Sequence, residues 1–159
     1  MKVAPLATRV EMTQLVLPEH TNALGTIFGG QVAAWIDICG AISAQRFCRR
    51  SVVTASIDEL HFLNPIQRGH IAVFQAMVNC AWKHSMEVGV RVEGEDPLTG
   101  IRTHTASAYC TFVALDEQGR PMVVPELDPQ GAIELHRQAE AELRRSRRLE
   151  YKQMRVRHS

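Results

Sequence analysis

The sequence predicts an α+β protein: an antiparallel sheet wrapped around one long central helix, followed by a C-terminal helical extension. Three patterns predict it. From Gly29 to about Phe47 apolar residues recur at three and four (Val32, Trp35, Ile36, Cys39, Ile42), the period of a helix. Four strand-like runs follow, separated by short turns, and after Pro129 the pattern turns helical again to about Tyr151. A lone sheet of this size cannot cover its own apolar face, so the long helix must lie across it.

Each element has its own signal. Thr8 to Leu17 has the β-branched bias of a strand, and Pro18 ends it. The loop from Glu19 to Phe28 leads into the long helix, which Gly40 and its alanines (Ala33, Ala34, Ala41, Ala44) keep thin enough for close packing. Ser51 to Phe62 alternates, with Val53, Ala55 and Ile57 on one face and Thr54, Ser56 and Asp58 on the other. His70 to Trp82 is partly apolar on both faces, which places it centrally. Ser85 to Glu93 sets Met86, Val88, Val90 and Val92 against Glu87, Gly89, Arg91 and Glu93, and Arg102 to Leu115 is the longest strand. Hairpin-length connections make these four strands antiparallel neighbours. Residues 8–126 form the domain and 127–159 a basic helical tail.

Length and composition narrow the function. The 159 residues suffice for one domain with a real core, and 45% apolar against 22% charged content excludes a disordered chain. A net charge of +1 hides an asymmetry: Arg137 to Ser159 holds eight Lys or Arg against three Glu. Such a tail points to phosphate, nucleic acid or an acidic partner surface. The aromatics Trp35, Trp82, Tyr109 and Tyr151 are not interleaved with the basic run, which argues against nucleic acid. Cys39, Cys48, Cys80 and Cys110 form no paired motif and read as core residues in a reducing compartment. No leader-like or membrane-spanning apolar run is present, so the expected location is the cytoplasm, with no membrane partner. The seven histidines are scattered without metal-ligand spacing, so no metal and no cofactor is expected.

Chemistry concentrates between His20 and Asp37. A polar, glycine-punctuated loop ends at a helix N-terminus, where backbone N–H groups are free and the dipole is positive. Gly29 and Gly30 let another molecule approach that backbone closely. The same helix carries one acid, Asp37, among Trp35, Ile36, Ile38 and Cys39. A donor cluster and a carboxylate in apolar surroundings suit acyl hydrolysis. Asp37 nevertheless lies seven residues after Gly30, roughly 10 Å along the axis at ~1.5 Å per residue. One substrate carbonyl cannot meet both groups of one helix. Two helices crossing at a two-fold axis solve this, which predicts an obligate homodimer with shared sites. Asn22 is the second polar candidate, to orient water or substrate, and His20 a lower-ranked general base.

The run His20-Thr21-Asn22-x-x-Gly25-x-x-Phe28-Gly29-Gly30, with Trp35-Ile36-Asp37, resembles the hotdog-fold acyl-CoA thioesterases, in the cytosolic acyl-CoA hydrolase and YciA-like branch. The similarity continues at Val53 to Asp58, Lys83 to Glu87 and Ala106 to Val113. The resemblance implies hydrolysis of acyl-CoA to free coenzyme A and a fatty acid. It implies Asp37 as the catalytic carboxylate, acting as base or nucleophile, with Asn22 assisting and the Gly30 N–H polarising the thioester carbonyl. It implies coenzyme A contacts at Thr54, Ala55, Ser56, Ile57, Lys83, His84, Ser85 and Met86. It further implies a phosphate contact from the tail, at Arg144, Arg145 or Arg148, and a hexamer built as a trimer of dimers. Coenzyme A is then part of the substrate. The rival readings are a hotdog thioesterase or dehydratase acting on carrier-protein substrates, and a non-catalytic acyl-CoA binder.

Overall fold

The computed structural model describes residues 1–159. Five strands form one antiparallel sheet in the order β2-β4-β5-β6-β3: β2 (Val10–Leu15), β3 (Ser51–Phe62), β4 (Ile71–Ala81), β5 (Ser85–Glu95) and β6 (Arg102–Leu115). A short parallel pair, β1 (Lys2–Val3) and β7 (Glu126–Leu127), ties the N-terminus to the segment after β6. Helix α1 (Gly29–Cys48) crosses one face of the sheet, and α2 (Ala132–Arg157) contacts the other. Strand β2 starts later than the expected Thr8 because Pro5–Thr8 winds into a 3₁₀ turn, closed by the Thr8 hydroxyl donating to Pro5 O at 2.6 Å.

The long helix and the alternating strands share one core. Val32, Trp35, Ile36, Cys39, Ala44 and Phe47 of α1 are buried with Met86, Val88, Val90 and Val92 of β5 and Ala106, Ala108, Cys110 and Phe112 of β6. Gly40 sets the spacing between the layers. A Cβ there would stand 3.1 Å from the Phe112 ring, so the helix rides against the sheet with no room for a side chain.

The strand order corrects one expectation. β4, β5 and β6 are sequential hairpin neighbours, but β3 pairs with β6 at the far edge and never meets β4. The physical reason is α1, which carries the chain from the β2 edge across the face to the opposite edge. Both sides of β4 are already taken by β2 and β5. Residues 63–70 must then return across the sheet. They do so beside the loop before α1, where Ile27 N donates to Ile66 O at 2.8 Å and Thr26 bridges Gln67.

The tail is not a free extension over its first half. Ala141 and Arg144 are buried against the outer face. Arg144 reaches Glu87 of β5 with Nε at 3.0 Å and a terminal nitrogen at 2.7 Å, and Glu87 is 0% exposed. Asn79 Nδ2 donates to the same carboxylate at 3.2 Å. Burial disfavours the Arg144 charge, yet its bonds to Glu87 outweigh that and hold its pKa above the ordinary value. Arg148 pairs with Asp58 of β3 at 3.2 Å, and Glu142 accepts from Trp82 Nε1 at 3.2 Å. Beyond Glu150 the helix is exposed throughout. No helix is long and apolar enough to cross a membrane.

Candidate active site

The loop before α1 is built largely by its own side chains. Asn22 Oδ1 accepts from Leu24 N at 2.9 Å and Thr26 N at 3.3 Å, while Asn22 Nδ2 donates to Thr26 Oγ1 at 3.0 Å. Gly25 takes φ +78°, a left-handed conformation that a side chain would strain. Phe28 N donates to His20 O at 2.8 Å, closing the loop onto the helix start. His20 Nδ1 accepts from Leu17 N at 3.0 Å, and its ring meets Trp35 edge-on at 4.8 Å. Asn22 thus shapes the loop, and His20 has one ring nitrogen already committed.

Helix α1 begins with open donors. Its first intrahelical bonds run from Gln31 and Val32 to Phe28 O, at 3.0 and 3.2 Å, which leaves the N–H groups of Gly29 and Gly30 without a backbone acceptor. Two aromatic rings flank them. A Cβ at Gly30 would lie 2.7 Å from Phe28 Cε1, and one at Gly29 3.5 Å from Phe62. Phe28 and Phe62 are 58% and 52% exposed, so the donors sit between apolar walls that are open on one side.

Two turns along, Asp37 is half-buried, and Thr54 Oγ1 of β3 donates to its Oδ1 at 2.7 Å. The sequence placed Thr54 with Ser56 and Asp58 on one face of its strand, and the structure corrects this. The β3–β6 register slips between Thr54 and Ser56, so Ala55 is the extra residue of a bulge. Thr54 and Ile57 stand opposite Phe112 and Cys110, on the α1 side, whereas Ser56 and Asp58 stand opposite Thr111 and Tyr109, on the outer side. The bulge delivers the hydroxyl to Asp37. The carboxylate is also felt by Cys110, whose thiol is pushed up to about 12, first by burial and then by Asp37.

The other sequence-derived residues disperse. Ala55 and Ile57 are exposed on β3, and the Ser56 hydroxyl donates to Asp58 at 3.2 Å. Lys83, His84 and Ser85 lie at the β4–β5 turn, where Lys83 O accepts from Val124 N and His84 O from Ala114 N. Met86 is 0% exposed: its alternation with the β5 valines sends its side chain into the core, and only its backbone faces any contact. Of the three tail arginines, Arg144 and Arg148 are paired with acids, whereas Arg145 lies over the Trp82 ring at 4.6 Å. Reading the sequence missed Thr54 as the partner of Asp37, because a bulge at an alanine carries no glycine signal. It also missed the Glu87–Arg144 pair, whose members lie 57 positions apart.

One face of the protomer is left bare. Along α1, Gly30, Ala34 and Ile38 form an exposed apolar row, with Ile38 50% exposed. Beside it β3 is an edge strand of 12 residues with Ile57 and Phe62 exposed on the same side. A long apolar edge of this kind calls for a covering partner.

A sheet wrapped on a helix that carries donors at its start and an acid at its middle defines a hotdog-fold protein. Residues 24–101 match the pattern of the Thioesterase superfamily. The chain is 42% identical over 91% of its length to acyl-coenzyme A thioesterase 11 of Mus musculus, of which it spans only a quarter (25%). An apo-hexameric acyl-CoA thioesterase superposes with a TM-score of 0.91 at 39% identity, covering 95% of this chain and 97% of that one. An acyl-CoA hydrolase from Staphylococcus aureus, in complex with butyryl coenzyme A, coenzyme A and coenzyme A disulfide, superposes at 0.86 with 37% identity over 97% and 96% of the two chains. Structures of that hydrolase also exist with an asparagine, an aspartate and a threonine each changed to alanine. Those three positions are separated by 15 and 17 residues, the spacing of Asn22, Asp37 and Thr54 here. The chain belongs to the thioesterase superfamily.

Proposed function

We propose that this protein hydrolyses acyl-CoA thioesters to coenzyme A and a free acid, at sites shared between two copies of the chain. The observation that carries the proposal is the Asp37 carboxylate, half-buried and held by Thr54 at 2.7 Å, roughly 10 Å from the open N–H groups of its own helix start. A carbonyl seated on Gly30 N–H of one protomer meets the Asp37 of its partner. Asp37 then takes a proton from a water that attacks the carbonyl, or attacks it directly to form an anhydride that water opens. Collapse of the tetrahedral species expels the thiolate of coenzyme A, which recovers the proton. A donor such as Gly30 N–H is worth on the order of 3 kcal/mol to the developing oxyanion.

The remaining assignments follow from this frame. The acyl chain lies among Phe28, Ile38 and Phe62, the apolar surfaces around the donors. Coenzyme A runs along Thr54, Ala55, Ser56 and Ile57 and past the turn at Lys83, His84 and Ser85, with Arg145 as the tail cation nearest a phosphate. Asn22 holds the loop and orients water. The bare α1–β3 face forms the homodimer, and three dimers make the hexamer. The reaction needs no cofactor or metal. The four buried free thiols suit the cytoplasm. His20, with Nδ1 engaged by Leu17, is poorly placed as the base a dehydratase requires.

Thiol release from a series of acyl-CoA chain lengths, run beside an acylated carrier protein, tests the substrate. Replacement of Asp37 by Ala should lower kcat about 10²–10⁴-fold while the oligomer and coenzyme A binding persist. Full activity in that variant, or faster turnover of the carrier-protein thioester, overturns the reading.

A further inference from the structure

His20 ties together the pieces on which the open donors of α1 depend. It ends the 3₁₀ turn Pro18–His20, and its Nδ1 accepts from Leu17 N, the amide that opens this turn, at 3.0 Å. Its ring meets Trp35 of α1 edge-on at 4.8 Å, and the buried Trp35 in turn meets Phe74 of β4 at 5.8 Å. Its carbonyl accepts from Phe28 N at 2.8 Å. Phe28 is the cap of α1: its own carbonyl takes the first two bonds of the helix, from Gln31 and Val32, and Gly29 and Gly30 follow it directly. A shift of His20 therefore carries the start of α1 with it.

The bond to Leu17 also fixes where the ring keeps its proton. A nitrogen that accepts an N–H bears no hydrogen, so the neutral ring carries its single proton on Nε2. A second proton has to go on Nδ1, where it faces the Leu17 N–H and breaks the bond. No charge nearby offsets that loss. Of the seven histidines only His136 stands within 4.0 Å of a carboxylate. Glu19, in the same turn, is exposed to solvent. From α1 the ring is met by Trp35, and Asp37, two positions further on, has its Oδ1 engaged by Thr54 at 2.7 Å.

We propose that His20 is a positioning residue: neutral, with its proton on Nε2, it holds the start of α1 so that the Gly29 and Gly30 N–H groups face the substrate carbonyl, and it releases that start on taking a second proton. This rests on the hydrolytic reading of those donors. His20 touches no reacting atom and takes no proton from water. Turnover consequently falls as pH drops through the range in which imidazoles ordinarily charge, about pH 8 to 5.

Two substitutions test the role. His20→Phe keeps a ring for Trp35 and removes the acceptor; kcat at pH 8 should fall about fivefold, the effect of one net hydrogen bond, with KM for acyl-CoA little changed. His20→Gln supplies an acceptor that does not titrate, as glutamine does at the third position of a capped turn. It should recover most of the loss, and its kcat should stay level down to about pH 5, where that of the original falls roughly tenfold per pH unit. Nuclear magnetic resonance of the full chain carrying Asp37→Ala gives a readout without turnover. The neutral ring should show the Nε2–H tautomer, and the Leu17, Gly29 and Gly30 amides should shift together as His20 titrates. Absence of thioester turnover in the original protein sinks the hydrolytic reading and leaves these shifts to decide the role of His20. An Nδ1–H tautomer, glycine amides indifferent to the His20 titration, or an acid limb of kcat that persists in His20→Gln overturns the inference.

Discussion

Replacing Arg144 by Ala tests the buried ion pair that fastens α2 to the sheet. Glu87 is 0% exposed and loses two bonds at once, those of 3.0 and 2.7 Å, keeping only Asn79 at 3.2 Å and a distant Arg148 at 3.8 Å. Stranding one member of a buried pair costs about 3–5 kcal/mol, and the surviving Asn79 bond places this case near the lower figure. About 3 kcal/mol in a domain of this size lowers Tm by roughly 6–12 °C. The chain has an escape: α2 can lift, letting water reach Glu87 and capping the loss at the docking energy of the helix. The two routes separate experimentally, because Cys80 lies against Glu142 of α2 at 3.5 Å. Thermal unfolding followed by circular dichroism reads the global cost, and the rate at which a disulfide reagent labels Cys80 reads the lifting. Changing Glu87 and Arg144 together to Met should restore stability to within about 1 kcal/mol, since neither charge is left alone. A single Arg144→Ala protein with its Tm within about 2 °C of the original and Cys80 still protected would refute this account of α2.

Thr54→Val keeps the shape of the side chain and removes its hydroxyl. With a bond to a charged group worth about 2 kcal/mol, kcat in the thiol-release assay should fall roughly thirtyfold with Tm little changed. Gly30→Ala places a methyl 2.7 Å from a Phe28 ring that is free to turn, so stability should hold while turnover drops at least tenfold. Alkaline pH should unfold the protein early. Burial raises the thiols of Cys39 and Cys110 from 9.0 to about 11 and about 12. Above pH 9 the unfolded chain gives up protons that the folded one keeps. Their contribution is thus complete below pH 9 and lost by pH 12, and the urea midpoint should decline steadily through that window.

The core was legible because it repeats. Met86, Val88, Val90 and Val92 alternate in the sequence and are all buried, and the three-and-four spacing from Val32 to Phe47 is the buried stripe of α1. Asp37 stood out as one acid in an apolar helix. Contacts that depend on long-range placement left no local trace. The pairing of β3 with β6 follows from where α1 delivers the chain, and neither strand records it. Glu87 alternates as an outward residue should, and only the arrival of α2 makes it interior. The basic run read as solvated or ligand-facing, yet Arg144 and Arg148 turn inward to acids whose positions no spacing rule connects.

The extra residue at Ala55 works as a frameshift written in side chains rather than codons. No contact of Ala55 itself aims Thr54; its exclusion from the ladder does. The strand should therefore forgive changes of identity at position 55 so long as that residue stays outside the ladder. Drawing Ala55 into the ladder opposite Phe112 would restore strict alternation, move Thr54 opposite Val113 and turn its hydroxyl to the outer face, with every atom of Asp37 still in place.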